Sequence, residues 1–160
     1  MEIQSSDEGW VFSEMDPFIA ELFRILPASA APDDDASRKR IFSAPTRGRD
    51  AAAANLNRDW SEYVEPELRE LFKTHVDIVA ADLARMKGGE ESSTLGIPAK
   101  NARAWIHTLN QARLALGARH GVTEDDIEDR QPKNAAEGFA LMQIDFYGTI
   151  LSLLLSRTEL

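Results

Sequence analysis

The segment Ala102–Val122, ARAWIHTLNQARLALGARHGV, decides how this chain is read. At about 100° per residue, Trp105, Leu109, Ala112 and Leu116 fall on one stripe, which Ile106 widens. The spacing i, i+4, i+7, i+11 is that of an amphipathic helix laid on a core. Pro98 suits the first turn, where its missing N–H leaves nothing unbonded. Gly121 suits the left-handed residue that ends a helix and lets Val122 fold back onto Leu116 or Gly117. Two polar residues sit awkwardly. Arg113 falls inside the apolar arc, between Leu109 and Ile106 on the wheel, and Asn110 lies at its edge. A buried guanidinium needs a carboxylate or several carbonyls. The alternative is a stem that lies on apolar surface and carries its charge out to water.

Upstream, Pro66 is expected to push Glu65 out of the helical region and to start a helix over 66–87. Leu68, Leu71, Phe72, Val76, Val79, Leu83 and Met86 mark its inner face. His75 and Asp82 interrupt that face two turns apart. Before it, Asp50 caps a helix carrying Leu56, Trp60 and Tyr63. Lys87-Gly88-Gly89 ends the 66–87 helix, and EESSTLGI reads as a loop leading to Pro98. Residues 27–49 read as a flexible linker around one short helix, acidic at its start and basic at its end, anchored by Ile41 and Phe42. Its Arg38, Lys39 and Arg40, with Arg47 and Arg49, form either a solvated helix end or a docking patch for an acidic partner. At the N-terminus, Ile3, the turn-like Ser5–Gly9 and then Trp10, Val11 and Phe12 suggest a small β-hairpin docked through Trp10 and Phe12. Asp16 and Pro17 open the next helix, which Pro27 is expected to end.

Downstream, Thr123 and the acids after it suggest a short helix start, solvated rather than metal-binding because the Gly and spacing of a calcium loop are missing. The last helix is expected over 134–156, with Phe139, Met142, Phe146, Ile150, Leu153 and Leu154 as its core face. Leu141, Ile144, Leu151 and Leu155 lie outside that face, so the helix is either surrounded by the others or shared with a partner. The fold class implied is all-α: one domain over 1–160, a bundle of about four main helices with a small N-terminal β-hairpin.

A chain of 160 residues, 43% of them apolar, is long enough for one domain with a sizeable core. A formal net charge of −9 argues against nucleic acid and anionic membranes as partners. Without cysteine there is no disulfide, no thiolate metal site and no cysteine nucleophile. The acidic N-terminus lacks the apolar stretch of a signal peptide, and the longest apolar run is interrupted by Asp145 and Ser152. A cytoplasmic protein is the expectation. No phosphate-cradling loop, HExxH or serine-elbow motif occurs, so no catalytic residue, metal ligand or cofactor is assigned.

Three parts together, YVEPELRELF, AWIHTLNQARLALGARHGVTEDD and the aromatic C-terminal helix, resemble DUF2017, an uncharacterised bacterial domain family, best over residues 60–155. The most specific positions are Trp105, Leu109, Asn110, Arg113, Leu114, Ala115, Leu116, Arg119 and Gly121 to Glu124. The resemblance implies a helical protein and brings no activity with it. Members of that family often lie in genomes beside the gene for a Clp-protease adaptor, an association by neighbourhood only.

The one polar constellation with chemical content is His75, Asp82, Asn110 and Arg113, on or beside the facing sides of two helices. It is either a structural network that fixes helix register or a ligand or catalytic site. Arg113 is expected to pair with Asp82, and Arg113→Ala then to cost roughly 3–5 kcal/mol. Two functional classes follow: a non-enzymatic regulatory or protein-interaction domain, or a small-ligand binder or enzyme using the polar cluster. The C-terminal helix is the expected contact for a protein partner or a second copy of the chain.

Overall fold

The structure is a computed structural model that describes residues 1–122 and 131–157. The short helix expected after Thr123 and its acidic cluster lie outside them. The hairpin is present: β1 (Glu2–Ser6) pairs antiparallel with β2 (Gly9–Met15) across a tight turn at Asp7 and Glu8. Trp10 and Phe12 dock it, being 6% and 0% exposed.

The all-α expectation is overturned by what joins this hairpin. β4 (Ser93–Pro98), read from sequence as loop, pairs antiparallel with β2, and β3 (Lys87–Gly88) pairs with β4. The result is a four-stranded sheet in the order β1-β2-β4-β3, so the fold is mixed α/β. The cause is visible in β4 itself, where Ser93, Leu95 and Ile97 are buried and Thr94 and Gly96 are exposed, the period-2 alternation of a half-covered strand. An edge of β2 left unpaired would have exposed its N–H and C=O groups. A bulge lies between Phe12 and Met15, where Glu14 adopts φ 52° and Met15 is turned fully inward.

Helices cover one side. α1 (Pro17–Arg24) is capped by Asp16, whose carboxylate accepts from the Ile19 N–H at 2.8 Å. Pro27 does not end the helical path; it sits in the first turn of α2 (Leu26–Ala30). α3 (Asp35–Ile41), capped by Asp34, carries Arg38, Lys39 and Arg40 in its last turn. Phe42 anchors it by stacking on Phe72, with centroids 5.4 Å apart. α4 (Ala51–Asp59), capped by Asp50, then runs without a break into α5 (Glu65–Ala84). The expected break before Pro66 is absent, because Glu65 keeps helical angles, φ −56° and ψ −43°. In an α-helix the Pro66 ring would clash with the carbonyl four residues back. The chain avoids this with a wide turn over Trp60–Val64, in which the Glu65 N–H reaches the Trp60 carbonyl.

A 3-10 turn (Ala99–Asn101) leads into α6 (Ala102–Arg119), the helix of the opening segment. Trp105, Leu109, Ala112 and Leu116 are all buried, as the stripe predicts. Gly121 takes φ 63°, and the Val122 N–H closes back onto the Gly117 carbonyl at 2.8 Å.

α7 (Ala135–Leu155), capped by Asn134, packs on α6. By length and composition it is apolar enough to cross a membrane, and it is also built as a core helix, with Ala140, Ile144, Tyr147, Ile150, Leu151 and Leu154 buried. Its inner face is turned from the expected one. Ile144 and Leu151, expected off the core face, are inside, whereas Phe139 and Met142 are 38% and 41% exposed. Gln143 and Tyr147 set this rotation. The Gln143 amide donates to Ser29 Oγ at 3.1 Å, and the Tyr147 hydroxyl donates to the Leu22 carbonyl at 2.7 Å. Two polar side chains with buried partners point inward and carry the two apolar flanks of α7 to the margins of the core.

Candidate functional site

The quartet singled out by sequence does not assemble. Asp82, 1% exposed, accepts from Trp105 Nε1 at 2.8 Å, from Asn101 Nδ2 at 3.0 Å, and from the guanidinium of Arg85. The expected Arg113–Asp82 pair is therefore corrected. α5 and α6 run antiparallel, so the end of α5 meets the start of α6. Arg113 is eight residues beyond Trp105, about 12 Å further along the axis. Asn110 is exposed. A donor-saturated carboxylate with an indole, an amide and a guanidinium around it holds α5, the turn before α6 and α6 in register. Asn101, Trp105 and Arg85 are the partners that sequence reading missed. What brings Asn101 and Trp105 to Asp82 is the antiparallel packing of α5 and α6, which no local residue pattern carries.

His75 lies instead against His107 of α6, the rings parallel within 5° and 4.8 Å apart. Burial holds both imidazoles below the ordinary value of 6.5, and Arg103 beside them disfavours their charged forms further. Both are thus neutral near pH 7. The folded state binds these protons less readily than the unfolded chain, so the stability from this seam is present above about pH 6.5 and is lost as pH falls through the depressed folded values. The urea midpoint should accordingly drop between pH 7 and pH 5, and drop less in His75→Gln. An equal slope in both proteins would show that the seam does not respond to acid.

A second clamp sits at the far end of α6. Arg119 donates through Nε to Asp34 at 2.5 Å, to the Ser29 carbonyl at 3.2 Å and to the Ala31 carbonyl. Asp34 is held at about 2, first by the Ser37 N–H and then by Arg119. This ties the α2–α3 connection to α6.

Two open features lie on either side of α7. On one side a groove of about 610 Å³ runs between β1, α1 and α7. Ile3, Phe18, Met142, Phe146 and Leu153 line it, with Met1 at its end. Ile3, Phe18 and Met142 are 43%, 49% and 41% exposed, a cluster of large apolar side chains facing water. Phe23 sets the spacing of its walls, packing edge-on to Phe146 at 5.2 Å while Tyr147 ties α1 through Leu22. On the other side is a cleft of about 420 Å³ that contains Arg113, Ile144 and Gly148. Asp145, Thr149 and Ser152 belong to both and form a polar ridge between them. Arg113 lies flat on α7: a Cβ added to Gly148 would come within 3.2 Å of its Nε. That Nε is buried without a partner, and no carboxylate within ion-pair distance of the guanidinium occurs among the described residues. Among the same residues, no group of three or more His, Asp or Glu side chains is placed to hold a metal ion.

Fold and site together define a helix-rich α/β domain whose buried polar residues fix helix positions and whose surface carries an apolar groove beside a cleft that contains Arg113. The chain belongs to the DUF2017 family, described as a domain of unknown function, which matches residues 7–157. No curated protein and no solved structure matches it.

Proposed function

We propose that this is a non-enzymatic, cytoplasmic protein-interaction domain that receives an amphipathic helix of a partner protein in the groove between β1, α1 and α7. The observation that carries the reading is the concentration of exposed Ile3, Phe18 and Met142 along one concave strip bordered by a polar ridge. A groove with apolar walls and methionine in its lining suits helix-in-groove recognition, where i, i+3/i+4 and i+7 anchors enter and the polar face stays wet. The partner's helix is basic on its polar side, since Asp145 borders the groove and the chain carries a net charge of −9. Enzymatic use is disfavoured because the donors around Asp82 are already engaged with it and His75 is stacked on a second ring. The cytoplasmic setting is supported by the burial of Ile144, Tyr147, Ile150 and Leu154 of α7 in the protein core.

Calorimetric titration with a 14-residue Leu/Lys/Gln amphipathic helix, in about 0.3 M salt to suppress unspecific charge attraction, tests this. Saturable binding is expected, with a control of the same composition but scrambled Leu positions giving none. Phe18→Glu and Met142→Glu change exposed positions, so both should fold normally. Each should weaken binding roughly tenfold or more, the equivalent of losing one buried anchor. Equal heats from the amphipathic and the scrambled peptide would refute the proposal.

A further inference from the structure

We infer that Arg113 is the specificity determinant of this surface: the helix that occupies the groove carries a carboxylate side chain, which crosses the α7 ridge and pairs with Arg113. The inference rests on the groove reading and adds the chemistry of the occupant. Three observations carry it. The first is a guanidinium without an anionic partner among the described residues, its Nε sealed and orphaned, on a residue that lines an open cleft. A charge held in that way is positioned for a ligand rather than for the fold, since the pair it would need inside the fold is absent.

The second is its mounting. Gly148 is the position where any side chain would crowd the guanidinium, since an added Cβ would stand 3.2 Å from Nε and 3.4 Å from Cζ. The absence of a side chain there lets the planar group lie against α7 in a fixed orientation, which suits two-point recognition of a carboxylate. The third is the low wall between the compartments. Thr149 and Ser152, small hydroxyl side chains shared by groove and cleft, are what the carboxylate has to pass over. Asp145, one turn before Thr149 on the same ridge, repels an acid and attracts a base. The occupant therefore presents a basic residue towards Asp145 and an acidic one towards the Thr149–Ser152 end. That charge order fixes the direction in which its helix lies.

The test is a panel of the same 14-residue helix in which each polar position bordering the Leu face is in turn Glu, Gln or Lys. Against the wild-type protein one register is expected to favour Glu over Gln by at least fivefold, with the preference shrinking as salt is raised. Arg113→Gln should bind all three alike, Arg113→Lys should keep part of the preference, and Arg113→Glu should reverse it towards Lys. Melting curves of the three variants within a few degrees of wild type show that the change is not loss of fold. If peptides bind but no position distinguishes Glu from Gln, or if Arg113→Gln keeps the preference, the inference fails while the groove reading stands. If none of the peptides binds the wild-type protein, both fall. Preference for a free fatty acid over every peptide would also overturn the inference, assigning Arg113 to a small amphiphile instead.

Discussion

Asp82→Ala is expected to destabilise the protein by roughly 3–5 kcal/mol, the range for removing one side of a buried charged network. The carboxylate is 1% exposed, and its loss leaves the Trp105 indole N–H and the Asn101 amide without an acceptor. Arg85 holds the same carboxylate from a side chain that is 63% exposed, so Arg85→Ala should cost about 1 kcal/mol or less, as for a surface pair. The contrast separates the inner and outer legs of one cluster. Arg113→Ala now belongs with the small effects, since it breaks no ion pair and removes only the packing of its stem on α7. Urea unfolding of the three variants would check this. An Asp82→Ala loss below about 1 kcal/mol, or an Arg113→Ala loss as large as that of Asp82→Ala, would contradict the assignment of partners.

Gly9→Ala is expected to be the most damaging change in the sheet. Gly9 opens β2 at φ 137°, and an added Cβ would stand 2.0 Å from the Ile97 carbonyl oxygen and 2.8 Å from the Ala99 nitrogen. Both obstacles are backbone, so β4 has to move or the hairpin has to leave it. Left-handed strain and overpacking each contribute about 1–3 kcal/mol, and their sum here should be roughly 2–6 kcal/mol. Because β2 joins β1 to β4, the loss should appear as faster hydrogen exchange at Leu95 and Ile97 as well as a lower melting temperature. Gly96→Ala, where an added Cβ meets nothing within 4 Å, is the matched control and should be close to neutral.

The contrast between these two glycines shows where the sequence was legible and where it was not. Local chemistry with one partner in view was readable: the Asp16 and Asp50 caps, Gly121 at φ 63°, and the Trp105–Leu109–Ala112–Leu116 stripe all formed. β4 was not read, although it alternates, because Ser93 and Gly96 dilute its apolar pattern and only the distant strand β2 gives it a reason to extend. Pro66 is a breaker by local rules, and the wide turn that absorbs it depends on carbonyl bonding that no residue pattern announces. α7 was assigned the wrong rotation for a different reason. A helix apolar on nearly every side carries little phase information, and its true phase was written in Gln143 and Tyr147, whose partners Ser29 and Leu22 lie more than a hundred residues away. The candidate quartet failed similarly. Sequence placed Asp82 and Arg113 on facing helices, but the antiparallel register that gives Asp82 to Trp105 and His75 to His107 is a tertiary fact. The groove was not legible at all: its α7 wall is Met142, Phe146, Ile150 and Leu153, which the pattern places on the core face, and none of the surplus residues Leu141, Ile144, Leu151 and Leu155 lines it.

The four methionines provide the most direct measurement of the proposed role. Met1 and Met142 line the groove, Met15 is fully buried under the sheet, and Met86 lies beyond the end of α5. With their methyl groups carbon-13 labelled, titration of the amphipathic helix should shift Met1 and Met142 in a saturable way and leave Met15 and Met86 nearly unmoved. Saturable binding that moves Met86 while Met1 and Met142 stay still, or no shift at any of the four at peptide concentrations up to the millimolar range, would contradict a groove that receives a partner's helix.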